Sequence, residues 1–233
     1  DPLEDIKFVE EEFDLWFKDL LDREWPKLVK EIEQKRAKIS DGITRRFTGL
    51  GILESQVDDV LTSMSLKVKK PQEWSEDDMM SFLKSLRKKA KPLIIAANKA
   101  DLCDNLDILE KISETFTVIS SSAETELLLR KASKANLIDY VPGDDNFQGK
   151  DDVELSDQQN NALHLAKNVL TKIQTTGIQK ILNSIIFDVL DMIVVYPVED
   201  ETKLTNKEGQ VLPDARLLKT GSTAKDLAFT IHQ

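Results

Sequence analysis

Four consecutive residues, Asn98-Lys99-Ala100-Asp101, follow a short apolar run, Leu93 to Ala97, in the stretch PLIIAANKADLCDN. Their types and spacing suit the reading of a purine edge. A carboxylate at Asp101 accepts from two neighbouring donors in a fork, and charge assistance makes such bonds strong. Guanine offers that pair of donors, its ring N–H and its exocyclic amine. Adenine presents the opposite pattern and leaves the carboxylate unpaired. Discrimination built this way reaches several orders of magnitude. Lys99 would lay its aliphatic stem over the base plane, and Asn98 would bond the far edge of the base and tie down neighbouring loops. The motif closes a predicted parallel strand, and open α/β sheets bind ligands at that end of their strands. The plainer alternative is an ordinary strand-to-helix turn.

A second loop strengthens the base reading. SSSAE, Ser120 to Glu124, follows the next predicted strand. Ser122-Ala123 resembles the serine–alanine loop of GTPases, whose backbone N–H faces the guanine carbonyl oxygen. A phosphate grip should accompany these loops, in the form G-x-x-x-x-G-K-[ST]. Only eight glycines occur, so the search is short. Gly143 and Gly149-Lys150 come nearest, with one residue too many between the glycines and Asp151 where a magnesium-binding hydroxyl belongs. No D-x-x-G segment is present. The base-reading half of a nucleotide site is therefore legible, and the phosphate and magnesium half is not. No catalytic residue and no metal ligand is assigned.

The elements that must position these loops can be read from pattern. Residues 1–40 read as helix, with Asp1 as N-cap, Pro2 in the first turn and Glu4 as the capping-box partner. Ile6, Val9, Phe13, Trp16 and Leu20 form the apolar stripe, and Pro26 kinks or restarts the helix. Gly42, Gly49 and Gly51 mark turns. WSEDDMMSFLKSLRKKAK is a second helix, capped by Ser75 and Asp78, burying Met79, Phe82, Leu83 and Leu86. Its C-terminal Lys88, Lys89 and Lys91 suit the helix dipole. LIIAA and FTVIS (Phe116 to Ser120) read as parallel strands, each followed by a helix, about Asp104 to Glu114 and about Glu124 to Lys134. That order signals a doubly wound α/β sheet. VPGDDNFQGKDD is a loop. Ser156 with Gln159 caps a further helix, and a second helix ends near Leu190. MIVVYPV is a strand, Asn206 to Gly209 a turn, VLPDARLL the returning strand, and Thr223 with Asp226 caps the last helix.

Composition sets outer limits. The 233 residues carry a net charge of −10, which disfavours a wholly basic, phosphate-gripping binder. One cysteine, Cys103, excludes a disulfide framework, and two histidines lie far apart. That usage suits a reducing, cytoplasmic setting. The longest apolar runs fall far short of the about 18 residues that signal a membrane span, so no membrane partner is expected.

DPLEDI, PLIIAANKAD, LLLRKASKANLIDYVPG and YPVEDETKLTNKEGQVLPDARLLKTGSTAKDLAF together resemble the YchF-type branch of the Obg-related GTPases. The likeness runs over essentially the whole chain. It implies a fold of class α/β: part of a P-loop GTPase sheet with a large helical insertion, plus a truncated β-grasp (TGS) module. The implied organisation is 1–90 helical insertion, 91–190 C-terminal part of the GTPase domain, and 191–233 incomplete TGS domain. The phosphate loop and switch regions would precede Asp1, and the last TGS strands would follow Gln233. The resemblance implies a GTPase as full-length parent, with GTP and Mg as its cofactors and guanine read by Asn98, Lys99, Asp101, Ser122 and Ala123. This chain alone is expected to hold neither phosphate nor magnesium and to be inactive. Implied partners are guanine nucleotide and the ribosome or RNA. The rival reading is a non-catalytic ribosome- or RNA-binding module with a vestigial nucleotide site.

Overall fold

The computed structural model describes residues 1–35, 37–103, 107–212 and 214–231. The chain divides into two compact units, Asp1–Leu93 and Ile94–Gln233. Among the described residues, no helix is long and apolar enough to cross a membrane.

The first unit is helical: α1 (Pro2–Asp22), α2 (Trp25–Lys35), α3 (Ile39–Arg46), α4 (Glu54–Ser63) and α5 (Glu76–Ala90). Local chemistry sets several of the boundaries. The Asp1 carboxylate accepts from the Leu3 N–H at 3.0 Å, and Pro26 stands in the first turn of α2, where its missing N–H costs nothing. At α5, Ser75 and Asp78 exchange bonds as a capping box, Ser75 N–H donating to Asp78 Oδ2 at 2.7 Å and Asp78 N–H to Ser75 Oγ at 3.1 Å. Lys69 and these Ser75 donors together pull the Asp78 carboxyl down to about 2. The core gathers Phe17, Leu28, Phe47, Leu61, Phe82 and Leu86, all essentially solvent-free.

Two sequence expectations fail in this unit for physical reasons. The apolar stripe read along α1 is turned only in part from the face that packs, since Phe13 and Leu20 do pack against the core. Phe17 and Leu21 are fully buried, while Val9 is 58% and Trp16 42% exposed. The inward face carries Asp14 as well, because Arg87 of α5 is buried opposite it. Arg87 Nε donates to Asp14 Oδ1 at 2.8 Å, and its terminal nitrogen to Glu10 at 2.8 Å. Burial disfavours the Arg87 charge, but these two carboxylates outweigh it and raise its pKa. A pattern of apolar residues alone does not show a polar group taken inward by a partner. Gly42, read as a turn, lies inside α3. A Cβ there would fall 2.3 Å from Leu28 Cδ1, so the glycine allows close approach of the α2 side chain.

In the second unit, β1 (Ile94–Asn98) pairs parallel with β2 (Thr117–Ser121), with Asn98 opposite Ser121. Helix α6 (Asp107–Ser113) lies in the crossover. The sequence reading starts that helix at Asp104, and residues 104–106 lie outside the described ones. Helix α7 (Ala123–Lys134) follows β2 directly. The expected doubly wound sheet reduces, among the described residues, to this parallel pair and two antiparallel ones. The stretch read wholly as a loop, VPGDDNFQGKDD, holds β4 (Gln148–Gly149), which pairs antiparallel with β3 (Ile138–Asp139) just before it. Helix α8 (Asp157–Ile173) is capped by Ser156 and Gln159 as expected. Helix α9 (Ile178–Asn183) continues as a π-helical segment, Ser184–Val189. Then β5 (Met192–Val195) runs antiparallel to β6 (Arg216–Lys219), and α10 (Ala224–Ile231) is capped by Thr223 and Asp226. The expected return strand is shorter than read, with Val211 in an isolated bridge to Thr205 and Pro213 outside the described residues.

Candidate base-reading site

Strand β1 delivers Asn98 to its C-terminal end, and the chain then turns sharply. Lys99 adopts φ +62°, the left-handed region that side chains other than glycine's enter at a cost. Ala100–Leu102 make a single 3₁₀ turn, closed by Leu102 N–H to Lys99 O at 3.0 Å and Cys103 N–H to Ala100 O at 3.3 Å. Such strain persists only where neighbours over-determine the turn. Here Ala100 is buried beneath it. From α8, Lys172 Nζ donates to the carbonyls of Asp101 and Cys103 at 2.9 and 2.8 Å. The ammonium thus bridges two backbone oxygens at the end of the short turn.

The second loop reaches the first through a hydrogen bond. Ala123 N–H donates to Asn98 Oδ1 at 3.1 Å, which joins the end of β1 to the start of α7. With its oxygen used this way, the Asn98 amide keeps its NH₂ for an acceptor such as a purine ring nitrogen. Ser122 is buried as the N-cap of α7. Its N–H donates to Thr176 O at 2.9 Å, and its hydroxyl meets Thr125 Oγ1 at 2.8 Å. Asp101 lines a cleft of about 500 Å³ with Glu124, Thr125, Leu128, Val169 and Lys172, a size common for small-ligand sites. Asn98, Lys99 and Ala123 are exposed, so donors and acceptors of the two loops are open to solvent.

The sequence reading did not reach the residues that hold these loops. Glu126, 4% exposed, accepts from Thr176 Oγ1, from Tyr140 OH at 2.8 Å and from Arg130 Nε. Burial raises the Glu126 pKa, and the donors from Thr176, Arg130 and Tyr140 more than reverse that, leaving it below the usual carboxylate value. Its folding contribution is therefore present above the ordinary carboxylate range and is lost as pH falls through the lowered value. Lys172 lies 71 residues from Asp101, and Thr176 lies 50 from Glu126. No local spacing signals such partners.

Residues 96–200, which include all five residues read as base contacts, match the family described as Obg-like GTPase YGR210-like, G4 motif-containing domain. An uncharacterized GTP-binding protein of Methanocaldococcus jannaschii is 42% identical over 235 residues, an alignment that takes in 100% of this chain and 58% of that protein. The crystal structure of a GTP binding protein from Pyrococcus horikoshii OT3 superposes with a TM-score of 0.76 at 36% identity, covering 100% of this chain and 62% of that one. The chain thus spans less than two thirds of the length of either relative.

Proposed function

We propose, from the premise that this chain belongs with the Obg-like GTP-binding proteins, that it binds a guanine nucleotide by its base. The observation that carries the reading is the Ala123 N–H to Asn98 Oδ1 bond, which sets the two base-reading loops side by side. Asp101 takes the two donors of guanine, Lys99 covers the base plane, and the Ser122-Ala123 loop meets its carbonyl edge. Among the described residues, no group of three or more His, Cys, Asp or Glu could hold a metal ion. This chain is assigned the base, and no magnesium step is routed through it. GTP hydrolysis, with magnesium, is proposed for a longer protein that contains this chain.

The finer assignment, a YchF-type protein with residues 191–233 as part of a TGS module, rests on the sequence resemblance. The antiparallel β5–β6 pair, the turn in which Asn206 Oδ1 accepts from Glu208 and Gln210 N–H groups, and the capped α10 are compatible with it. Ribosome or RNA association is the partner that this resemblance implies.

A panel of nucleoside monophosphates tests the base reading without relying on phosphate contacts. Competition followed by ligand-observed NMR is expected to rank GMP first, then IMP, which lacks the exocyclic amine, then AMP. Equal responses from GMP and AMP would overturn the proposal.

A further inference from the structure

Thr176 is fully buried and serves two masters. Its carbonyl accepts the Ser122 N–H at 2.9 Å, and its hydroxyl donates to the Glu126 carboxylate. Glu126 lies one turn into α7, the helix that Ser122 caps, and Tyr140 and Arg130 hold its oxygens from two further directions. The next residue, Gly177, has φ +79°, and a Cβ there would fall 2.0 Å from the Ser120 carbonyl oxygen and 2.9 Å from Ser121 Cα. Gly177 N–H is itself tied to Thr175 Oγ1 at 3.1 Å. The segment 175–177 is thus pressed against the end of β2 where no larger residue fits. One buried carboxylate fixes its position.

We infer that Glu126 and Thr176 form a latch that positions the Ser122-Ala123 loop for base recognition. The inference rests on the guanine reading of that loop. Neither residue need touch the nucleotide. The latch acts through Ser122: with Thr176 fixed, the Ser122 amide is held, the turn into α7 is held, and Ala123 N–H stays aimed at the Asn98 amide. A loop ordered before the ligand arrives loses less freedom on binding, so loosening the latch weakens affinity without removing any contact.

The test uses the whole chain and GMP as probe. Thr176→Val keeps the shape of the side chain and exchanges its hydroxyl for a methyl group. Exchange of the Ser122 amide, read by NMR, is expected to speed by about tenfold or more. GMP affinity is expected to fall by about fivefold or more. Thr176→Ser, which keeps the hydroxyl, is expected to restore both. Tyr140→Phe removes a different donor from the same carboxylate and should leave GMP affinity within about twofold. A purely structural role predicts that Tyr140→Phe and Thr176→Val act alike, in proportion to lost stability, and that result overturns the latch. Wild-type exchange at Ser122 in Thr176→Val also overturns it. If Thr176→Val does not fold, Glu126→Gln carries the same two readouts. If the wild-type chain fails to distinguish GMP from AMP, the base reading falls, and Ser122 exchange alone decides whether the latch exists.

Discussion

Asp101→Asn is expected to invert the base preference of this chain. The carboxylate accepts from both the ring N–H and the exocyclic amine of guanine. An asparagine offers one acceptor and one donor side by side. Its oxygen still takes the ring N–H, but its NH₂ now faces the guanine amine, donor against donor. Xanthine, with a carbonyl in place of that amine, matches the new pair. A site that leaves a buried polar group unpaired loses discrimination steeply, so the preference for GMP over XMP should drop by about 100-fold or more and reverse. The substitution changes little else. The backbone carbonyl of Asp101, not its side chain, is what Lys172 holds, so the turn should persist. Competition between GMP, XMP and AMP reads the result. The rival account, a binding module with a vestigial nucleotide site, predicts no change with any base.

The second large effect belongs to the helical unit. Arg87 is 1% exposed, and its guanidinium is held by Asp14, also buried, and by Glu10. Arg87→Met is expected to destabilise the chain by about 3–5 kcal/mol, because it strands the Asp14 carboxylate in an apolar core. Arg87→Met combined with Asp14→Leu removes both charges and fills the space. It should recover most of that loss, since well-packed apolar replacements of buried ion pairs are often neutral or stabilising. Glu10, at the edge of the cluster, can turn to solvent. Urea unfolding followed by far-UV circular dichroism gives both numbers and their non-additivity. Equal loss in the single and double variants would mean that packing of the Arg87 stem, not its charge, supports the contact between α1 and α5.

What the sequence disclosed was what local chemistry decides. The buried stripe of α5 was legible because a capping box fixes its start and Met79, Phe82, Leu83 and Leu86 repeat at helical spacing, whereas the buried Arg87 beside them leaves no such signal. The β1 turn was legible because an apolar strand stops at a polar tetrapeptide, and Asn98 accepts a bond from Ala123 N–H. The packed face of α1 was misread because Asp14 goes inward to meet a partner 73 residues away. Gly42 was misread as a turn because the sequence does not show that Leu28 presses on it. The supports of the base loops, Lys172, Thr176 and Glu126, are long-range polar pairs, and such pairs leave no periodicity to find.

The central claim is that the loops of Asn98 to Asp101 and of Ser122-Ala123 read guanine together. Isotope-labelled chain titrated with GMP, and separately with AMP, tests it residue by residue. The account predicts saturable, millimolar-range shifts with GMP at the amides of Lys99, Asp101, Ala123 and Glu124, and none at those positions with AMP. Equal shifts with both nucleotides, or GMP-specific shifts confined to residues outside these two loops, would contradict it.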